Sequence, residues 1–157
     1  MIFKKWKPYV LWILIAEGVG LLSGLLSSRG MELYSASIEK PPLSPPAILF
    51  PIVWTVLYAL MGIGAALIWQ EEPSKERSRG LNLFVAQLIV NFFWSLIFFN
   101  ARAFGFAAVW LILLWSLVLL MILEFRKVRP LAAWLQVPYL IWLTFAAYLN
   151  IGVALLN

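Results

Sequence analysis

The chain has 157 residues, of which 64% are hydrophobic and only 12% are charged, and its formal net charge is +5. This balance excludes an ordinary soluble domain, because it leaves too little polar surface to face water. The absence of Cys and His excludes thiol nucleophiles, disulfides, imidazole bases and the commonest zinc and haem ligands.

Five stretches are long and apolar enough to cross a bilayer as helices, which takes roughly 20 residues each. In chain order they are 8–28, 47–69, 81–99, 103–124 and 131–155. None alternates with a period of two, so a barrel is excluded, and helices are then the spanning elements that satisfy the backbone. The sequence therefore predicts an all-α membrane protein, a single domain over residues 1–157 that forms a bundle of five transmembrane helices.

The segment 29–46, between the first and second spans, is the one long non-helical piece that the sequence predicts. Its proline pairs, Pro41-Pro42 and Pro45-Pro46, forbid regular helix and fix an extended path. By contrast, Asn100-Ala101-Arg102 predicts a tight turn that makes the third and fourth spans antiparallel neighbours. The loop 29–46 is therefore the candidate lid of a binding site.

Basic residues fall mainly at one end of the predicted bundle. Nine of them lie there: Lys4, Lys5, Lys7, Lys75, Arg77, Arg79, Arg126, Lys127 and Arg129. The opposite end carries only Arg29, Lys40 and Arg102. The positive-inside rule therefore predicts a cytoplasmic N-terminus and a C-terminus outside the cell. The basic clusters mark topology and not a nucleic-acid footprint.

Polar side chains inside the spans are candidates for function, because hydrocarbon cannot solvate them. On the third span, a spacing of three and four residues puts five side chains on one face: Gln87, Asn91, Trp94, Ser95 and Phe98. Such a mixed face holds a flat ligand by stacking while the amides orient its polar edge. The alternative is that Gln87 and Asn91 only hydrogen-bond to neighbouring helices.

Two tryptophans favour a pocket within the bundle. Trp142 lies near the middle of the fifth span, away from the interfaces where most membrane tryptophans lie, so a pocket wall is the preferred interpretation. Trp54 and Tyr58 lie one turn apart near the outer end of the second span. For Trp54 an interfacial position is the open alternative.

The first span carries two further features. Glu17 is the only carboxylate well inside a span, and both a proton-coupled step and a structural hydrogen bond remain open for it. The small residues Ala16, Gly20, Gly24 and Ser28 recur every four positions. Such a stripe allows close approach of either another helix of the bundle or a second copy of the chain.

Four ordered segments carry a family resemblance. They are EKPPLSPP at 39–46, FPIVWTVLY at 50–58, NFFWSLIFF at 91–99 and PYLIWLTFAAYLN at 138–150. The set resembles the TspO/MBR family, the tryptophan-rich sensory proteins related to the mitochondrial translocator protein. The resemblance covers essentially the whole chain.

The resemblance implies a five-helix bundle, usually a homodimer, with a cavity closed by the loop between the first two spans. It implies tetrapyrrole ligands such as protoporphyrin IX. From the residues themselves we expect no cofactor, no metal ion and no nucleic-acid partner. A bacterial cell membrane is the expected location. On matching positions the ligand-binding residues are Tyr34, Trp54, Tyr58, Asn91, Trp94, Phe98, Trp142 and Ala146.

A membrane receptor or carrier for planar apolar ligands is therefore the expected function. One alternative is an enzyme that degrades porphyrin with light and oxygen, in which the resemblance implicates Trp54 and Trp142. Another is a small secondary transporter. Turnover would call for a base, nucleophile or cofactor motif, which this sequence lacks. Without His or Cys to ligate iron, metal-free porphyrin, or haem held by stacking alone, is the expected ligand.

Two departures from the family pattern limit what the resemblance implies. The loop has Leu43 where many members have Trp, so the lid contacts differ. The sterol-recognition pattern of animal members requires a Lys or Arg after the position of Tyr148, and this sequence has neither there.

Overall fold

The computed structural model describes the backbone of residues 2–157 and the side chains from Trp6 onward, so the side chains of Lys4 and Lys5 lie outside the described part. Every regular element in this range is helical. The elements are α1 (Ile2–Ser37), α2 (Leu49–Trp69), α3 (Lys75–Ser95) continued by a π-helical turn (Leu96–Asn100), α4 (Phe104–Val128), α5 (Pro130–Trp134) and α6 (Val137–Leu156).

Five helical segments of this range are long and apolar enough to cross a membrane. They are Trp6–Ser37, Leu49–Trp69, Lys75–Asn100, Phe104–Val128 and Pro130–Leu156, the last being α5 and α6 together. The prediction of an all-α bundle with five spans is confirmed. The leucines of α1 and Ile15 are exposed, as expected for a helix whose surroundings are lipid.

The predicted boundary between the first span and the loop was wrong. Helix α1 continues to Ser37, so the first nine residues of the predicted loop 29–46 are helical and the non-helical segment is 38–48. Arg29 and Glu32 end the apolar run but not the helix, because charged residues outside the hydrocarbon do not break helical hydrogen bonds. The helix ends shortly before the Pro41-Pro42 pair, whose rings cannot continue it.

The other helix ends have recognisable local causes. Ser74 caps α3, where its hydroxyl accepts a hydrogen bond from the Arg77 backbone N–H at 3.1 Å. At the far end, the Ala101 N–H donates to the Leu96 carbonyl at 2.9 Å, which closes the π-helical turn. Arg102 then adopts a positive φ of 53°, and the chain reverses into α4.

The helices pack so that each is held by its neighbours. Helix α1 packs along α2 and also touches α3 and the π-helical turn, α3 packs along α4, and α4 packs against α6. The predicted antiparallel pairing of the third and fourth spans is confirmed. At one end, an ion pair of 3.5 Å between Arg129 and Glu71 joins the α4–α5 connection to the α2–α3 connection. These two basic connections therefore lie at the same end of the bundle, called the basic end below.

Candidate functional site

A buried chain of hydrogen bonds crosses the bundle from α2 through α3 to α6. The Tyr58 hydroxyl donates to Asn91 Oδ1 at 2.6 Å, and Asn91 Nδ2 donates to the Tyr139 hydroxyl at 2.7 Å. Tyr139 in turn donates to Gln87 Oε1 at 2.8 Å. The Gln87 amide completes the chain with a long contact of 3.7 Å to the Met61 sulfur. All five side chains are buried, and we call this set the amide network.

The amide network uses both polar ends of Asn91. Each of its side-chain atoms has a protein partner, so in this structure Asn91 holds three helices together. Gln87 also connects α3 to two other helices, since its Oε1 accepts from Tyr139 on α6 and its Nε2 contacts Met61 on α2. Of the two roles predicted for these amides, bonding between helices is the one seen here, and contact of Asn91 with a ligand stays a prediction.

An aromatic group lies beside the amide network and connects α2 with α6. We call it the Trp54 cluster, and its members are Phe50, Trp54, Tyr58, Tyr139, Trp142 and Phe145. The Trp54 ring centroid lies 5.6 Å from that of Tyr58 and 6.4 Å from that of Trp142. Trp142 also meets Phe50 at 5.9 Å. The rings touch edge to face or at a tilt, so a flat ligand must separate them to enter.

Trp142 has a polar atom that the protein leaves without a partner. Its indole Nε1 is buried and makes no hydrogen bond with any described residue. Trp94, the predicted pocket tryptophan of the third span, differs from Trp142 because its Nε1 donates to Asn150 Oδ1 at 3.1 Å. Trp12 Nε1 on α1 is also buried without an acceptor, so what distinguishes Trp142 is that its unpaired N–H lies among the predicted ligand-binding residues.

A second aromatic group lies where α1, the π-helical turn and the start of α4 meet. We call it the Trp94 cluster, and its members are Tyr34, Trp94, Phe98, Phe99 and Phe104. Trp94 stacks on Phe98 at 5.0 Å with an angle of 22° between the planes. The Tyr34 ring lies 5.4 Å from Phe98, and Lys40 Nζ lies 4.9 Å from the Tyr34 ring.

The predicted binding residues therefore divide between two neighbouring places. Trp54, Tyr58 and Trp142 belong to the Trp54 cluster and Asn91 to the amide network, whereas Tyr34, Trp94 and Phe98 belong to the Trp94 cluster. Ala146 is buried one turn beyond Trp142 on α6. Trp94 packs against buried residues of both hydrophobic cores and so connects the two places.

Sequence reasoning missed Tyr139, which is the central residue of the site. It is fully buried, shares hydrogen bonds with two amides and touches the Trp54 ring at 6.1 Å. The available signal was its position three residues before Trp142, which places both on one face of α6. Glu17 is half-buried on α1 and forms no hydrogen bond or ion pair with any residue whose side chain is described.

The segment 38–48, called the lid below, is fastened to α6. The Tyr148 hydroxyl donates to the Pro42 carbonyl at 2.6 Å. The Asn157 side chain bonds both backbone groups of Glu39, accepting from its N–H at 3.2 Å and donating to its carbonyl at 2.8 Å. Pro41 packs where a Cβ on Gly152 would lie only 2.6 Å from the proline ring. Glycine at 152 thus allows the lid to lie directly on the helix.

Comparison with known proteins supports the resemblance seen in the four motifs. A sequence profile described as the TspO/MBR family matches residues 12–156. The translocator protein of Ovis aries is 40% identical over 148 residues, which is 92% of this chain and 87% of that protein. The tryptophan-rich protein TspO of Chlorobaculum tepidum is 35% identical over 158 residues, 98% of each chain. The protein CrtK of Rhodobacter capsulatus is 38% identical over 122 residues, covering 77% of this chain and 76% of that protein.

Proposed function

Because this chain belongs to the TspO/MBR family of membrane proteins, we propose that it is a receptor or carrier that binds a planar, apolar, tetrapyrrole-type ligand in the Trp54 cluster beneath the lid. Phe50, Trp54, Trp142 and Phe145 of this cluster are only half-buried, so a ligand displaces these rings more easily than the buried Tyr58 and Tyr139. Separated rings would stack on the two faces of a flat macrocycle.

The observation that carries this proposal is the unpaired indole N–H of Trp142. It lies inside an aromatic group, where an acceptor on the ligand would remove the cost of its burial. Protoporphyrin combines an extended flat face with carboxylate acceptors at one edge. Such a ligand matches the aromatic walls and the unpaired donor together.

Replacing Trp142 by phenylalanine is the direct test. A smaller aromatic ring remains but the donor is lost, so we expect affinity for protoporphyrin IX to fall roughly threefold to tenfold, the usual effect of one buried hydrogen bond. Titrations should follow the absorbance of the porphyrin itself, because the chain has nine tryptophans that would obscure fluorescence changes. Trp134→Phe is the matched control, since Trp134 is 71% exposed and outside the cluster.

The same variants separate binding from degradation. A receptor still binds protoporphyrin IX in Trp142→Phe, with only the limited loss of affinity given above, whereas an enzyme that uses a tryptophan radical loses light-dependent product formation in Trp142→Phe or Trp54→Phe. Unchanged affinity in both variants, with melting temperatures equal to that of the wild type, would refute the proposed site.

The lid contacts lead to a prediction about ligand exchange. Asn157→Ala removes both hydrogen bonds to Glu39, and Tyr148→Phe removes the one to Pro42. We expect the double variant to release and take up protoporphyrin IX several times faster, with a smaller change in affinity, because both rates rise when the lid opens more often. Stopped-flow absorbance measures both rates. Ser37→Ala is the control, since that hydroxyl bonds only within α1; equal rates in all variants would remove the lid from the entry path.

We further propose that the N-terminus lies in the cytoplasm of a bacterial cell and that the lid faces outward. The basic end carries the clusters that the positive-inside rule places in the cytoplasm. Since the chain has no Cys, single replacements Leu43→Cys and Glu72→Cys give clean labelling sites. Both positions are exposed, Leu43 by 81%. A membrane-impermeant maleimide should label the first in intact cells and the second only after permeabilisation, and the reverse pattern would invert the topology.

The homodimer implied by the resemblance also stays a proposal. The second half of the small-residue stripe on α1 is available for it, because a Cβ on Gly24 would meet no atom within 4 Å.

A further inference from the structure

A cleft of about 500 Å³ opens on the outside of the bundle between α3 and α4, away from the Trp54 and Trp94 clusters. Its lining is polar near the basic end and apolar deeper in the bundle. The polar residues are Arg79, Asn82 and Glu124, and the apolar ones are Leu83, Ala86 and Leu120. The α3 residues follow one helix face at spacings of three and four, and Leu120 lies one turn deeper than Glu124 on α4.

Glu124 leaves one carboxylate oxygen without a partner. Its Oε1 pairs with Lys127 Nζ at 3.2 Å, but its Oε2 is buried and accepts no hydrogen bond from any described residue. The Glu124 side chain is only 15% exposed. A carboxylate oxygen in this position, at the edge of the hydrocarbon, is costly unless a cationic or N–H donor reaches it.

Arg79 supplies the opposite charge on the facing helix. It is exposed, and no carboxylate of the described side chains lies within ion-pair distance of it. The neighbouring Asn82 adds an amide donor on the same face of α3. The cleft is therefore lined by a cation and an anion that do not pair with each other, and each has bonding capacity left over.

We propose that this cleft binds a phospholipid whose headgroup carries both a phosphate and a primary ammonium, as phosphatidylethanolamine does. The phosphate would contact Arg79 and Asn82, and the ammonium would donate to Glu124 Oε2 once a rotation of the Glu124 side chain has turned this buried atom towards the cleft. An acyl chain would lie along Leu83, Ala86 and Leu120. The order of charged and apolar groups from the basic end inward matches the order of headgroup and chain in such a lipid.

Selective binding of phosphatidylethanolamine needs both the positive charge of Arg79 and the negative charge of Glu124. A choline headgroup carries a cation but has no N–H to donate to Glu124. A glycerol headgroup has the phosphate but no cation at all. Selectivity for ethanolamine therefore depends on Glu124, and general phospholipid affinity depends on Arg79.

Native mass spectrometry of the full chain in detergent tests this site. Phosphatidylethanolamine, phosphatidylcholine and phosphatidylglycerol with identical acyl chains are titrated in parallel. We expect the wild type to retain the ethanolamine lipid roughly threefold to tenfold more strongly than the other two. Glu124→Gln should abolish this preference, and Arg79→Gln should weaken the binding of all three lipids.

Two controls distinguish headgroup recognition from loss of a surface ion pair. Lys127→Gln breaks the same pair with Glu124 but keeps the carboxylate, so the ethanolamine preference should persist. Arg126→Gln removes another exposed arginine at the basic end and should leave lipid binding unchanged. Equal retention of the three lipids by the wild type, or an unchanged preference in Glu124→Gln, would overturn the proposal.

A second copy of the chain is the competing occupant of this cleft. Ala86→Cys places the only thiol of the chain in the cleft. Efficient disulfide cross-linking of this variant in membranes would show that another protomer covers the site and would also overturn the proposal. Absence of cross-linking, together with the lipid preference, supports it.

Discussion

Replacing Asn91 by leucine is expected to lower the free energy of unfolding by about 2–3 kcal/mol, measured by thermal or denaturant unfolding in detergent. The substitution keeps the size of the side chain but removes an acceptor and a donor at the centre of the amide network. The Tyr58 hydroxyl then loses its acceptor at 2.6 Å inside the bundle. Tyr139 keeps its bond to Gln87, so the loss is partial.

A double-mutant cycle shows whether the network is the cause. Tyr58→Phe alone should destabilise the protein, because it leaves Asn91 Oδ1 without a donor. In the Asn91→Leu background the same change should cost little, since its partner is already gone. Tyr9→Phe is the matched control, because the Tyr9 hydroxyl forms no hydrogen bond with a described residue. Additive losses for Asn91 and Tyr58 would contradict the coupling.

The membrane fold could be predicted because a single property decides it. A helix must cover roughly 20 residues of hydrocarbon with apolar side chains, and that requirement is visible in one window of sequence. Hydropathy does not report where a helix ends in water, which is why Ser37 lies well past the predicted end of the first span. Local hydrogen bonds and proline positions decide that boundary instead.

The site could be predicted only in part, because its contacts join different helices. Spacing identified the polar and aromatic face of α3, and Trp54 and Trp142 indeed meet at 6.4 Å. Spacing could not show that the Tyr139 hydroxyl on α6 forms hydrogen bonds with both Asn91 and Gln87. Spacing also assumes a uniform helix, whereas the π-helical turn at Leu96–Asn100 accommodates an extra residue just where Phe98 lies. Phe98 accordingly packs with Tyr34 and Phe104.

The crossing of α1 and α2 is the second place where one substitution should have a large effect. At Gly62 a Cβ would overlap the Ile13 Cα and lie 2.6 Å from the Ile13 nitrogen. These are backbone atoms, which cannot rotate away, so the two helices would have to separate. We expect Gly62→Ala to lower the free energy of unfolding by about 3 kcal/mol or to prevent folding.

Glycines of the small-residue stripe on α1 provide the matched control for Gly62→Ala. They also show whether the stripe contacts another helix of the bundle or a second copy of the chain. A Cβ on Gly20 would lie 2.6 Å from Tyr58 Cδ2, so this part of the stripe packs inside the bundle. Gly24 is open, and Gly24→Ala should be neutral or stabilise a monomer by about 0.5–1 kcal/mol through helix propensity. If Gly24 contacts a second copy, the larger Gly24→Ile should instead shift the protein from dimer to monomer in light-scattering measurements. A Gly62→Ala variant as stable as Gly24→Ala would show that α1 and α2 do not approach as closely as described.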